Sequence, residues 1–296
     1  MHRFAAIALF LAGLAFGQSE IVYPAPESES DNRFADLIEL LTLALDKTVP
    51  EYGPYRLSSS AMKMNEKRSL AELKHGKLVS VIWSSTSTEK EADFIPIRIP
   101  LRKGLLGYRI ALIDAKSQAR IDAIHTIDDL RKVDVGQGFG WGDVEVYKAN
   151  GIPVLAAGYE SLFAMVARDR FLLYPRGINE VFDEYETRKA ALPTLAIEKG
   201  LVLYYPWPYY FFVNRNDRVL AARIDLGLHR MIQDGSFDSV FWKYNGAAIR
   251  RANLNQRRII QLDNPLLPKE TPLGAPYWMP PDKLKVYLRE HARNTE

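Results

Sequence analysis

Along this chain the apolar positions switch repeatedly between a period near two and a period near 3.6, the signature of strands alternating with helices. Glu20-Ile-Val-Tyr-Pro24 reads as a first strand, followed by a polar loop. Phe34, Leu37, Ile38, Leu41 and Leu45 then recur at helical spacing, with Asp31 as the expected N-cap. Ser69-Leu-Ala-Glu72 has the capping-box form and predicts a short helix stopped by Gly76. Leu78 to Trp83 reads as a buried strand whose polar outlet is Ser84-Ser-Thr-Ser-Thr88.

The organising stretch is Pro96 to Ile113. Short apolar runs there are broken by prolines and a Lys103-Gly104 turn, and the alternation predicts extended chain. Pro96 and Pro100 lack backbone donors, so the first half is expected at an edge or in a connection, bridging two globular units. Beyond it, Thr126-Ile-Asp-Asp129 repeats the capping signal and Val133 to Val135 reads as a strand. A glycine-rich loop, Gly136-Gln-Gly-Phe-Gly-Trp-Gly-Asp143, leads into a helix. Ile152 to Leu155 and Phe171 to Tyr174 are expected strands, and Glu160 to Val166 and Asn179 to Ala191 expected helices. Layered α/β units are the architecture such alternation builds.

Leu201 to Tyr205 and Tyr209 to Val213 are apolar strands broken by Pro206-Trp207-Pro208, which reads as a return crossing. Asn216 or Asp217 is expected to cap a long helix ended by Gly235, and Ser236 to cap a second, aromatic-faced helix. The organisation that follows is a first lobe from residues 18–110 plus 209–255, a second lobe from 111–208 inserted into it, and an extension, 256–296, wrapping the first lobe.

Composition narrows the function. Met1-His-Arg followed by the apolar run Phe4 to Phe16 predicts a signal peptide over residues 1–17, hence a periplasmic protein, and no cysteine follows to carry a lipid anchor. With no cysteine at all, stability must come from apolar burial. A net charge of +3 with both signs interspersed offers no concentrated face for nucleic acid. The five histidines are scattered, no G-x-S-x-G occurs, and no metal site, cofactor site or catalytic residue is indicated. The glycine loop lacks the third glycine of a dinucleotide fingerprint. Its strand end and helix start near Asp143 remain suited to an anionic group. Arg250-Arg251 and Arg257-Arg258 read as surface or ion-paired cations.

Asn214-Arg-Asn-Asp217 through Tyr244, with its Asp234-Gly-Ser-Phe237 break, resembles the closing segment of extracellular solute-binding proteins of family 3. Ser87-Thr-Glu-Lys90 resembles that family's T-P-E-R loop. Thr126-Ile-Asp-Asp-Leu130 with Val135-Gly-Gln-Gly138 resembles its S-x-x-D-L segment and glycine-bearing loop, so the likeness runs from about Ile21 to Asn245. It implies the bilobal type 2 periplasmic-binding-protein fold, two α/β lobes joined by two crossing strands. It also implies a monomer that carries a small solute to an inner-membrane ABC-type permease or a sensor.

By the same resemblance the first lobe would offer Lys90 with Ser84, Ser85 and Thr86, and Tyr23 and Trp83 could stack on the guest. The second lobe would offer Gln137, Gly138, Phe139, Trp141, Tyr174 and Arg176. Lys90 stands where the family clamps a carboxylate with arginine, and Arg176 where it usually presents an aspartate to an ammonium group. Both departures predict a polar or anionic metabolite in place of an ordinary amino acid. Two rivals stand beside transport: a sensory or scaffold protein signalling to a membrane partner, favoured by the long tail after Gln256, and a dehydratase of cyclic acids, which the family also contains and which would need a cleft carboxylate, with Glu27, Glu29 and Glu89 as candidates.

Overall fold

The computed structural model describes residues 17–26 and 34–291. The expected signal peptide, Glu27, Glu29 and the expected cap Asp31 lie outside the described residues. In chain order the first half comprises β1 (Ser19–Ala25), α1 (Ala35–Asp46), α2 (Val49–Tyr52), β2 (Tyr55–Lys63), α3 (Glu66–His75), β3 (Val81–Ser85), α4 (Thr88–Asp93), β4 (Phe94–Ile97), β5 (Tyr108–Asp114), α5 (Gln118–Asp122) and α6 (Ile127–Leu130). The rest comprises β6 (Val135–Gly138), α7 (Asp143–Ala149), β7 (Val154–Ala157), α8 (Tyr159–Val166), β8 (Tyr174–Gly177), α9 (Val181–Arg188), β9 (Leu195–Ile197), β10 (Leu201–Tyr204), β11 (Tyr209–Asn214), α10 (Arg218–Asp234), α11 (Ser236–Ala252), β12 (Arg258–Gln261) and α12 (Pro281–His291).

The first lobe holds a parallel β1–β2 pair and a sheet in the order β3-β11-β4, with α1 and α10 packed together beside it. Leu37, Leu40, Leu41, Ala44 and Leu45 form the buried face of α1, at the helical spacing read from the sequence. A Cβ at Gly227 would lie 2.1 Å from the Ala44 carbonyl oxygen, so only glycine lets α10 approach α1 this closely. Each of these leucines contributes about 2–5 kcal/mol against truncation to alanine. Asp217 caps α10 through the Leu220 amide, as expected.

The second lobe holds a sheet in the order β12-β10-β5-β8, with β9 also on β5, and a parallel β6–β7 pair. β5, YRIALID, is buried along its whole length and carries no proline, so it can take the centre. Pro96 sits on the edge strand β4, where its missing donor costs nothing. The first crossing is therefore residues 98–107, and the limit drawn at 110/111 falls inside β5. The second crossing is Pro206-Trp207-Pro208, between β10 and β11. The two touch where the Tyr205 amide bonds the Gly107 carbonyl at 3.2 Å.

Several local expectations are corrected. Asn65, not Ser69, caps α3, and Ser69 is buried within the helix. Ser236 makes no cap bond; its hydroxyl turns back to Asp234 at 2.6 Å. β2, with its polar Ser58-Ser-Ser60 centre, escaped the hydrophobic pattern altogether. Within the extension, Arg258–Gln261 adds a parallel strand to β10 in the second lobe's sheet, while Tyr277 packs against the first lobe's core. β10 had an open edge, and the apolar Ile259 and Ile260 satisfy it.

Candidate functional site

The first-lobe half is built by the loop after β3. Ser87 caps α4 by accepting from the Lys90 amide at 3.3 Å, which orients Lys90 back along the strand end. Its Nζ donates to the Ser84 hydroxyl at 2.6 Å, to Glu66 Oε1 at 2.7 Å and to the Ser85 carbonyl at 2.9 Å. Burial pushes the Glu66 carboxyl up, but the Lys90 charge and hydrogen bond outweigh it and hold Glu66 below the usual carboxylate range. Thr86 donates to Glu91 at 2.6 Å, and Arg98 holds the same carboxylate from the crossing. Tyr23 and Phe34 flank the Trp83 ring at 5.8 and 5.4 Å between centroids, forming an aromatic wall. Arg102, buried on the first crossing, forks onto Asp36 at 2.6 and 2.7 Å.

The second-lobe half is built by the ends of β6 and β8. Arg176 is 6 % exposed, and its guanidinium forks onto Glu184 at 2.7 and 2.7 Å and reaches Glu180 at 3.1 Å. It lies 4.8 Å from the Trp141 ring centre, with Tyr174 and Tyr159 at 5.3 and 5.7 Å. Trp141 covers Gly138, where a Cβ would sit 2.3 Å from the indole. Burial pushes Glu180 up, but Arg176 and then Arg109 outweigh it and hold it low. Gln137 is buried and donates to the Pro175 carbonyl at 3.4 Å, leaving its Oε1 without a partner, as is the Tyr174 hydroxyl. Phe139 stands apart at 71 % exposure.

The expected anion site at the start of α7 is filled from within. Asp143 occupies it, taking Arg109 Nη2 at 2.8 Å and the Tyr205 hydroxyl. Both lobes' loops rest on the second crossing: the Thr86 amide donates to the Pro208 carbonyl at 3.2 Å, and Gly142 lies against Trp207. Ser84, Ser85, Thr86 and Lys90 thus cluster in one lobe, and Gln137, Gly138, Trp141, Tyr174 and Arg176 in the other. Neither expected cation is free, since each is matched by a carboxylate. A surface recess of about 550 Å³ lined by Phe94, Ile95, Pro96, Arg215, Arg218 and Ala221 shares no residue with this cluster.

Sequence reasoning missed Glu66, Glu180 and Glu184. Glu180 and Glu184 were legible as carboxylates four residues apart at the start of α9, although Arg176 on β8 meets them only through the turn between the two elements. Glu66 was not, because it meets Lys90 only through the packing of α3 beside β3. Of the carboxylates named for a dehydratase, Glu89 is the described one, and it is exposed in the first turn of α4. No group of His, Asp and Glu among the described residues could hold a metal ion. No described helix is long and apolar enough to cross a membrane.

No protein-family model matches the sequence, and no curated protein matches it. Solved structures do match. The probable amino-acid ABC transporter extracellular-binding protein YtmK of Bacillus subtilis is 17% identical with a TM-score of 0.57, over 78% of this chain and 99% of that one. An ancestral arginine-binding protein bound to arginine is 17% identical with a TM-score of 0.52, over 77% and 98%. An ancestral amino-acid-binding protein, a precursor of cyclohexadienyl dehydratase, is 18% identical with a TM-score of 0.51, over 77% and 95%. At these identities the likeness is one of fold: this chain has the bilobal type 2 periplasmic-binding-protein architecture.

Proposed function

We propose that this protein is a periplasmic solute-binding protein, exported by residues 1–17, that takes a small polar guest between its lobes as a monomer and presents it to an inner-membrane ABC-type permease. The observation that carries the reading is the convergence on one crossing of two strand-end loops from different lobes, Ser84 to Lys90 and Gly138 to Asp143. Crevices beyond strand ends are where α/β sheets bind ligands, and a guest between these two loops would touch both lobes at once. Trp83 and Tyr23 on one side and Trp141 on the other supply aromatic walls.

The charge census shifts the expected guest away from anions. Lys90, Arg102, Arg109 and Arg176 are matched by Glu66, Asp36, Asp143, Glu180 and Glu184, which leaves the cluster one charge negative. A neutral or cationic polar solute fits that balance, and binding without turnover is the reading the cluster supports. The structural neighbour bound to arginine holds a cationic guest in the same architecture.

Thermal-shift titration with neutral, cationic and anionic metabolites tests this. A guest at a hundred times its Kd adds about 2.7 kcal/mol to stability, an easily read rise in Tm. Stabilisation by neutral or cationic solutes is expected. Stabilisation by dicarboxylates alone, or by no solute in the panel, would overturn the reading. A sensory role is the second reading, favoured by the C-terminal segment, which lies along both crossings.

A further inference from the structure

The chain passes between the lobes a third time. The first turn of α11 packs in the first lobe through Phe237 and Val240, while Phe241, Ile249 and Ala252 join the core of the second. The chain then adds β12 to the second sheet and returns along both crossings. Asn264 donates from Nδ2 to the Pro206 carbonyl at 2.8 Å, and Leu266 lies near Gly142 beside Trp207. Trp278, 2 % exposed, seals the first crossing: a Cβ on Gly104 would sit 2.8 Å from its ring. The Met279 amide bonds the Lys103 carbonyl at 3.0 Å, and the Met279 carbonyl accepts from the Tyr108 hydroxyl at 2.9 Å. Lys103, itself buried with a positive φ of 51°, reaches Asp238 on α11 and lies 5.6 Å from the Phe237 ring centre.

Rotation of one lobe against the other needs a few residues on the crossings to change φ and ψ freely. Here those residues are packed against α11 on one side and residues 264–279 on the other. We infer that the C-terminal segment is a strap that fixes the relative orientation of the lobes, so that residues 264–279 set the angle between them before any guest arrives. The inference stands independently of what the site binds, because it concerns the protein without any guest.

The absence of cysteine allows clean spin labelling at Lys77→Cys in the first lobe and Arg168→Cys in the second, both exposed. In the otherwise unchanged full chain, pulsed electron-spin measurements should give one narrow distance distribution. Adding Trp278→Ala should broaden or split it. Should Trp278→Ala fail to fold, Asn264→Ala, which removes only the bond to Pro206, carries the same expectation. A broad or two-population distribution in the doubly labelled parent would overturn the inference, as would an unchanged distribution in a folded Trp278→Ala or, in its place, Asn264→Ala.

Discussion

The two lobes bring cations of different kinds to the same crossing, and they hold them in different ways. Lys90 is a point charge on a flexible stem, tied to a serine hydroxyl, a carbonyl and a half-exposed Glu66. Arg176 is a planar fork sealed between an indole and two carboxylates. A lysine held this way can change partners at small cost, because water and neighbouring oxygens replace what it leaves. The arginine cannot, since withdrawing it strands buried negative charge. The first lobe therefore carries the adaptable half of the proposed site and the second the rigid half.

The largest test of this contrast is Arg176→Ala, which leaves Glu180 and Glu184 uncompensated. It should cost about 3–5 kcal/mol in urea unfolding; a loss below 1 kcal/mol would show that Arg176 is not wired in. Acid comes next. Glu66 and Glu180 have folded-state values held below 4.5, so their contribution to stability is present above that pH and is lost as pH falls through the folded values. Tm should therefore be steady from neutral pH to about 5 and drop below it, and Glu180→Gln should flatten the drop. The smallest effect is expected from Lys90→Met, at about 0–1 kcal/mol of stability. Its signature is instead a changed solute profile in thermal-shift titration, and an unchanged profile would remove Lys90 from the site.

Much of this fold was legible because its long elements are locally consistent. Asp217, the run Leu220, Ile224, Leu228 and Met231, and Gly235 specify α10 from cap to stop. The Thr126–Asp129 box forms both of its reciprocal bonds. β2 was missed because a strand of mixed polarity gains its stability from pairing with β1, which no local pattern records. The candidate site was legible as residue types, without the carboxylates that pair with its cations. Asp36 lies 66 residues from Arg102, and Asp143 lies 34 residues beyond Arg109, so the neutralising partners come only with the tertiary fold. The partner of the extension's strand was hidden for the same reason: Arg258–Gln261 looks like any short strand until the open edge of β10 is known.

Asp143 has a consequence beyond structure. By lodging its own carboxylate against Arg109 and Tyr205, the chain carries a tethered competitor for any incoming anion, present at the high effective concentration that covalent attachment confers. Asp143→Asn should therefore let acetate or formate raise Tm, and no rise would show that the carboxylate is not such a rival.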